Sequence, residues 1–304
     1  MSQIAFLFPG QGAQYVGMGK DFYEQFDICK QVYKVAGEAS GLNLSQICFQ
    51  ENELLNITEY TQVALLATEV AILRAVESSG IQPAVTAGLS LGEYASLAAG
   101  HVMSDEDLFR IIRKRGLFMQ EAYPVGGAMA AVLGMEASMV EKVCLEQNGE
   151  VYVANYNCPG QIVITGEAKA VSEAGARLKE IGAKGIIPLK VSGPFHSPLL
   201  KDAGTKLEDA LDNVSVYAPD IPYITNVTAD YVKDAAGIKE LLVKQVVSSV
   251  RWQQSVEKMI ADGIDTFIEI GPGKTLTGFM KKINKDVRMI NIGTVDDLSK
   301  LEAL

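Results

Sequence analysis

The sequence predicts an α/β protein in which a ferredoxin-like subdomain is inserted into a larger α/β body. Three observations carry that reading: a strand, sharp turn and helix over residues 84–99, a β-α-β-β-α-β order over residues 126–191, and a buried-strand run at Thr266–Ile270 stopped by Gly-Pro-Gly.

Along the chain, Ile4–Phe8 is a short apolar run ended by Pro9-Gly10, the pattern of a buried strand entering a turn. Thr61–Val76 reads as a helix. Ala84–Leu89 is a second strand that runs into Ser90, and Leu91–Ala99, rich in helix formers, closes at Gly100 as a C-terminal cap. Ser104, with Asp107 three residues on, opens the next helix in the manner of a capping box. Then follow a strand (Met129–Leu133), a helix (Ser138–Gln147), two strands about Pro159-Gly160 (Tyr152–Asn155 and Gln161–Thr165), a helix (Ala170–Ile181) and a strand (Gly185–Val191). This split βαβ pattern sets the insert at residues 126–191 and the larger body at 1–125 and 192–304. Thr266–Ile270 precedes Gly271-Pro272-Gly273, and a helix is expected from there through Met280.

With 304 residues, 48% of them hydrophobic, the chain can bury a sizeable core. A net charge of -10 argues against nucleic acid or an anionic membrane as partner, since either needs a basic face. Met-Ser-Gln-Ile-Ala-Phe-Leu-Phe is no basic leader, and no apolar stretch reaches the roughly 18 residues of a membrane span, so a cytoplasmic protein is expected. The four cysteines (Cys29, Cys48, Cys144, Cys158) lack Cys-x-x-Cys spacing, which predicts buried thiols and neither disulfides nor a metal site. With only two histidines, His101 and His196, any imidazole base has two candidates.

Gly88-Leu89-Ser90-Leu91-Gly92 fits Gly-x-Ser-x-Gly, which sets a serine on a tight strand-to-helix turn. Ser90 is thereby a candidate nucleophile, the bland alternative being a helix N-cap serine. The Leu91 N–H, at the positive end of the following helix, points to where a tetrahedral oxyanion forms. A serine hydroxyl needs a base. His196, in the proline-bracketed loop Val191-Ser192-Gly193-Pro194-Phe195-His196-Ser197-Pro198, suits that task better than His101 beside a helix cap, although a structural role is open to either. No acidic residue stands out as a third triad member. Phe8-Pro9-Gly10-Gln11-Gly12-Ala13-Gln14 forms a turn whose Gln11 N–H is a second candidate oxyanion donor. Dinucleotide binding fails because Tyr15 takes the place of the third glycine, and a phosphate loop ending at Gly273-Lys274-Thr275 fails because Ile268 stands where its first glycine belongs. Leu108, Ile111, Ile112 and Arg115 fall at i, i+3, i+4 and i+7, so Arg115 shares an apolar helix face while Arg113 and Lys114 point elsewhere. Such a guanidinium serves a structural ion pair, snorkels, or grips a substrate carboxylate at two points.

Together these residues resemble the malonyl-CoA:acyl carrier protein transacylase family, which includes acyltransferases serving polyketide synthases. The resemblance rests on Phe8–Gln14, Gly88–Tyr94, Arg115-Gly116 with Met119-Gln120, Asn157 with Pro159-Gly160-Gln161, Gly193–Ser197, Gln245 with Val250-Arg251-Trp252, and Glu269–Gly273. It implies an α/β-hydrolase-like large subdomain with an inserted ferredoxin-like small subdomain. It further implies Ser90 as acyl carrier, His196 as base, Gln11 and Leu91 at the oxyanion hole, and Arg115 on the malonyl carboxylate. Phe195, Asn157 and Gln161 are implied as substrate-binding positions, and Gln245 as the residue whose backbone carbonyl orients the histidine. Many members carry histidine where Leu89 stands. Malonyl-CoA and acyl carrier protein are the implied partners of a monomer that needs no cofactor, feeding fatty acid or polyketide synthesis. A serine hydrolase acting on misloaded carrier proteins and a non-enzymatic docking scaffold are the alternatives.

Overall fold

The computed structural model describes residues 3–191 and 193–304; Met1 and Ser2, and Ser192 at the expected return from the insert, lie outside the described residues. The chain starts with β1 (Ile4–Phe8), then passes through α1 (Lys20–Gln25), α2 (Asp27–Ser40) and α3 (Leu44–Phe49) to α4 (Thr58–Glu77). Almost every residue of α4 is buried, as its nearly all-round apolar sequence demands. Next come β2 (Val85–Gly88), α5 (Gly92–Ala99) and α6 (Asp105–Ala122). Ser104 caps α6 as expected, its hydroxyl accepting from the Asp107 N–H at 3.1 Å. Gly100 caps α5 as expected, its N–H bonded to the Ser96 carbonyl at 3.0 Å, but its φ is -89° and the left-handed turn falls on His101 at 51°. Gly100 is also a site of close approach, because a Cβ there would lie 3.0 Å from the Ile221 carbonyl oxygen.

The middle of the chain holds β3 (Gly127–Leu133), α7 (Ala137–Leu145), β4 (Val151–Cys158), β5 (Gln161–Glu167), α8 (Ala168–Glu180) and β6 (Gly185–Pro188). The last strand ends at Pro188, short of the expected Gly185–Val191, although one further ladder bond runs from the Leu189 N–H to the Met129 carbonyl at 2.9 Å. The remainder contributes α9 (Lys201–Asp212), β7 (Tyr223–Ile224), β8 (Tyr231–Val232), α10 (Ile238–Val247), α11 (Trp252–Ala261), β9 (Thr266–Ile270), α12 (Thr275–Ile283) and β10 (Arg288–Ile292).

Two sheets result. The larger has the order β10-β9-β1-β2-β7-β8 and is parallel apart from its last pair. Alternation along β1 divides its core: Phe6 and Phe8 pack with α4 and α5, while Ala5 and Leu7 pack with Trp252, Phe267 and Met280 on the other face. The smaller sheet is antiparallel, in the ferredoxin-like order β4-β5-β3-β6. One face carries α7 and α8 over Val132, Ile162 and Ile164, and the other turns Met129, Ala131 and Val163 toward the larger body. The bodies are joined beyond the two chain crossings. Val250 donates to Ala154 O at 2.8 Å and accepts from Tyr156 N–H at 2.9 Å, and Ser249 Oγ donates to Val153 O at 2.6 Å.

Parallel strands all point one way, so the loops after β1, β2 and β9 gather at one edge of the large sheet, the usual place for an α/β site. There they meet the inner face of the small sheet. Among the described residues no helix is long and apolar enough to cross a membrane, no group of residues could hold a metal ion, and all four cysteines are free and buried.

Candidate active site

Ser90 lies at the tip of the turn from β2 into α5, with φ 54°, a left-handed conformation costly to any residue bearing a Cβ. The flanking glycines have a steric reason. A Cβ on Gly88 would sit 1.9 Å from the Gly92 backbone, and one on Gly92 2.3 Å from the Phe8 carbonyl oxygen. The turn is thus pressed against the end of β1, which brings Gln11 and Ser90 to one cleft.

His196, at φ 60° in the loop after β6, reaches Ser90 from the other side, its Nε2 2.7 Å from the hydroxyl. Its Nδ1 lies 2.9 Å from the Gln245 backbone carbonyl. A carbonyl only accepts, so Nδ1 carries the proton and Nε2 presents a lone pair to the Ser90 O–H, the state of a general base. Gln245 is in the last turn of α10, where helix carbonyls lack intrahelical partners and the helix dipole favours an adjacent cation. Orientation of the imidazole therefore needs no aspartate. Burial, and next the neighbouring Arg115, lower the His196 pKa to about 4, against weaker upward contributions from its backbone hydrogen bonds.

Arg115 does point inward. It is 1% exposed, and its Nη1 donates to Gln62 Oε1 at 2.6 Å, while Nη2 donates to Gln245 Oε1 at 2.9 Å and to Ser90 Oγ at 3.2 Å. Neutral oxygens surround it, with Tyr94 beneath its charge at 5.5 Å, and no carboxylate makes an ion pair with it among the described residues. Burial lowers its pKa. By contrast Arg113, two residues earlier, pairs with Glu59, and His101 is exposed beside Asp220. Of the three roles open to Arg115, the structural ion pair and the snorkelling side chain are both set aside by these contacts.

The cleft encloses about 860 Å³, open solvent included, and is lined from the body by Gln11, Ser90, Leu91 and Phe279 and from the insert by Met129 and Asn157. Phe195 and Leu89 also line it. The N–H groups of Gln11 and Leu91 form no hydrogen bond among the described residues, and the Gln11 side chain is tethered to Thr58 Oγ1 at 3.1 Å. Asn157 Oδ1 is buried without a partner among the described residues. Gln161 is the departure: it does not line the cleft, and its carboxamide oxygen accepts from Lys282 Nζ at 3.3 Å on the surface. It heads β5 at the turn, two residues before Val163, which does line the cleft.

Two residues of the site carried no sequence signal, and a third was given no role. Gln62 lies on α4 within a run read only as helix, and Asn226 in a short turn. Glu93 belongs to the serine motif but is wholly buried, its Oε2 accepting from Gln245 Nε2 at 2.7 Å and from the Asn226 N–H at 3.0 Å. Burial raises the Glu93 pKa to about 7 against those hydrogen bonds.

A family model described as the acyl transferase domain matches residues 5–298. The chain is 49% identical over 297 residues to the malonyl CoA-acyl carrier protein transacylase of Bacillus subtilis (strain 168), covering 96% of this chain and 94% of that protein. Among solved structures, the malonyl CoA-acyl carrier protein transacylase of Clostridium perfringens is similar with a TM-score of 0.95 at 44% identity, over 99% of this chain and 96% of that one. A type II PKS malonyl-transacylase in complex with its acyl-carrier protein gives a TM-score of 0.97 at 38% identity, with 100% of both chains covered.

Proposed function

We propose a function from the premise that this chain belongs to the acyl transferase domain family: it is a malonyl-CoA:acyl carrier protein transacylase of fatty acid or polyketide synthesis, working through an ester on Ser90. The observation that carries this reading is the convergence on the Ser90 hydroxyl of a neutral imidazole at 2.7 Å and a buried guanidinium at 3.2 Å. The first activates the oxygen. The second is a fork-shaped donor set suited to the carboxylate that distinguishes malonyl from acetyl.

In the first half-reaction Ser90 Oγ attacks the thioester carbonyl carbon while its proton passes to His196 Nε2. The carbonyl π electrons move onto oxygen, and the N–H groups of Leu91 and Gln11 stabilise that oxyanion. Collapse breaks the C–S bond, the coenzyme A sulfur takes the proton from His196, and a malonyl ester is left on Ser90. The carrier's phosphopantetheine thiol then gives its proton to His196 and attacks the ester, and Ser90 Oγ leaves with that proton. The proton that Ser90 loses to coenzyme A is replaced by the carrier thiol's, so Ser90 and His196 end in the protonation states in which they began. Imidazolium formed in both halves is stabilised by the Gln245 carbonyl at the C-terminal end of α10.

Asn157 and Phe195 act on the substrate in this reading: the unpartnered Asn157 carboxamide oxygen is an acceptor on the cleft wall, and the Phe195 ring limits room at the malonyl α-carbon. All these groups come from a single chain, which supports a monomer, and four free buried thiols suit the reducing cytoplasm. The insert is assigned to residues 126–191. The test is incubation with malonyl-CoA alone, an acid quench, and peptide mass analysis. A stoichiometric malonyl group on the Ser90 peptide, absent in Ser90→Ala, is expected; a label that persists in the variant overturns the assignment.

A further inference from the structure

The left-handed turn at Ser90 needs something to hold it, and the holder lies 136 residues away. Asn226, in the turn between β7 and β8, is 1% exposed. Its Oδ1 accepts from the Ser90 N–H at 2.6 Å and its Nδ2 donates to the Gly88 carbonyl at 2.6 Å. One carboxamide thus bridges the last residue of β2 and the nucleophile. The partners fix its orientation, since an N–H only donates and a carbonyl only accepts. The bridge is itself anchored: the Asn226 N–H donates to Glu93 Oε2 at 3.0 Å, and the Asn226 carbonyl accepts from the Arg251 N–H at 3.0 Å. Gln245 Nε2 holds the Ser90 carbonyl at 2.9 Å, so both backbone groups of the nucleophile are tied to residues that also meet at Glu93, Gln245 by its side chain and Asn226 by its backbone N–H.

We propose that Asn226 is a positioning residue for the nucleophile, holding Ser90 in the left-handed turn that aims its hydroxyl at His196 and the Leu91 N–H at the developing oxyanion. The proposal rests on the reading of Ser90 as the acylated residue. It makes no use of Arg115, which Gln62 and Gln245 hold without Asn226. Removing the bridge is therefore expected to slow the chemical step and to leave malonyl-CoA binding intact. Aspartate at this position supplies a specific readout. When ionised it accepts from the Ser90 N–H but turns a lone pair to the Gly88 carbonyl; when protonated it reproduces the carboxamide's donor and acceptor.

The test is single-turnover acylation of the full chain by malonyl-CoA, followed by the mass of the Ser90 peptide over a range of substrate concentration and pH. Thermal melting of each protein accompanies it. Asn226→Ala should lower the limiting rate about 10- to 100-fold, as for a misplacement near 1 Å, with the half-saturating concentration unchanged. The rate of Asn226→Asp relative to wild type should rise as pH falls from 8 toward 5.5. Around the clamp the titratable and charged groups are Glu93, which touches it, and Arg115, His196, Tyr94 and Tyr223 about Glu93 and Ser90. All are common to both proteins, so the ratio reports the new carboxyl together with its coupling to Glu93. Should the alanine variant melt below the assay temperature, the aspartate ratio decides. A wild-type limiting rate in the alanine variant, or a flat aspartate ratio, overturns the clamp while leaving the ester on Ser90 standing. Wild-type protein that forms no such ester overturns the clamp together with the reading beneath it.

Discussion

Arg115 and His196 meet at a single atom: Nη2 of the one donates to the Ser90 hydroxyl oxygen that shares its proton with Nε2 of the other. A guanidinium so placed opposes imidazolium formation and, after burial, is the next cause of the low His196 pKa of about 4. A carboxylate seated on Arg115 offsets that charge, so malonyl-CoA should make His196 more basic when it must accept a proton, and acetyl-CoA should not. At saturating substrate the acidic limb of the acylation rate should therefore fall at higher pH for malonyl-CoA than for acetyl-CoA. Superimposed limbs would show that the two residues are not coupled.

Arg115→Ala should separate the two substrates further. Loss of one member of a buried charge pair costs about 2–5 kcal/mol, so malonyl transfer should drop roughly 30-fold to several thousand-fold. Acetyl transfer is spared or improved. Arg115→Lys keeps the charge without the two-point fork and should rescue only part. Acylation rates for both substrates, measured beside melting curves, check this; parallel loss with a lowered melting temperature would make the guanidinium a structural element.

His196→Ala should slow acylation by about 10²–10⁴-fold through loss of the general base. His101→Ala should change it little, because His101 is exposed beside Asp220 and outside the cleft. Equal losses would undo the choice between them. The low pKa also bears on stability. A histidine whose folded pKa is depressed contributes stability that is present above its unfolded value near 6.5 and is lost as pH falls through about 4. Relative to wild type, acid melting of His196→Ala in that window should be shallower.

Glu69 offers the opposite sign. It is wholly buried in α4, and neither carboxyl oxygen has a partner among the described residues. Burial first, and Glu269 second, hold its pKa well above the usual carboxylate range. A raised folded pKa gives stability that is full below the unfolded value of about 4.3 and is lost as pH rises toward the folded one. Glu69→Met, similar in volume and uncharged, should gain on wild type in melting temperature as pH goes from 5 to 9. A constant difference between the two proteins would count against a titrating Glu69.

How much of this could be read from the chain depends on the reach of each interaction. Ser90 was legible because its turn is built from residues within two positions of it, and Arg115 because helical periodicity alone sets its face. The βαββαβ order of the insert followed from apolar alternation. Asn226 was not legible: a two-residue strand on each side leaves no pattern, and its partner is 136 residues distant. Gln62 was hidden for the same reason, 53 residues from the arginine that it supports. Gln161 is a different case. Its neighbours Val163 and Asn157 line the cleft, yet its place at the head of β5 turns it to Lys282.

The backbone stitching of β4 to Val250 bears on how the cleft works as a mechanical object. Asn155 and Asn157, on the cleft wall, belong to the same strand that Val250 and Ser249 tie down. Widening the gap between the sheets would require those bonds to break. The two walls thus behave less like jaws than like the faces of a milled slot, whose width is set during folding and not during turnover. Discrimination among acyl groups then becomes a question of gauge, decided by which side chains project from either wall.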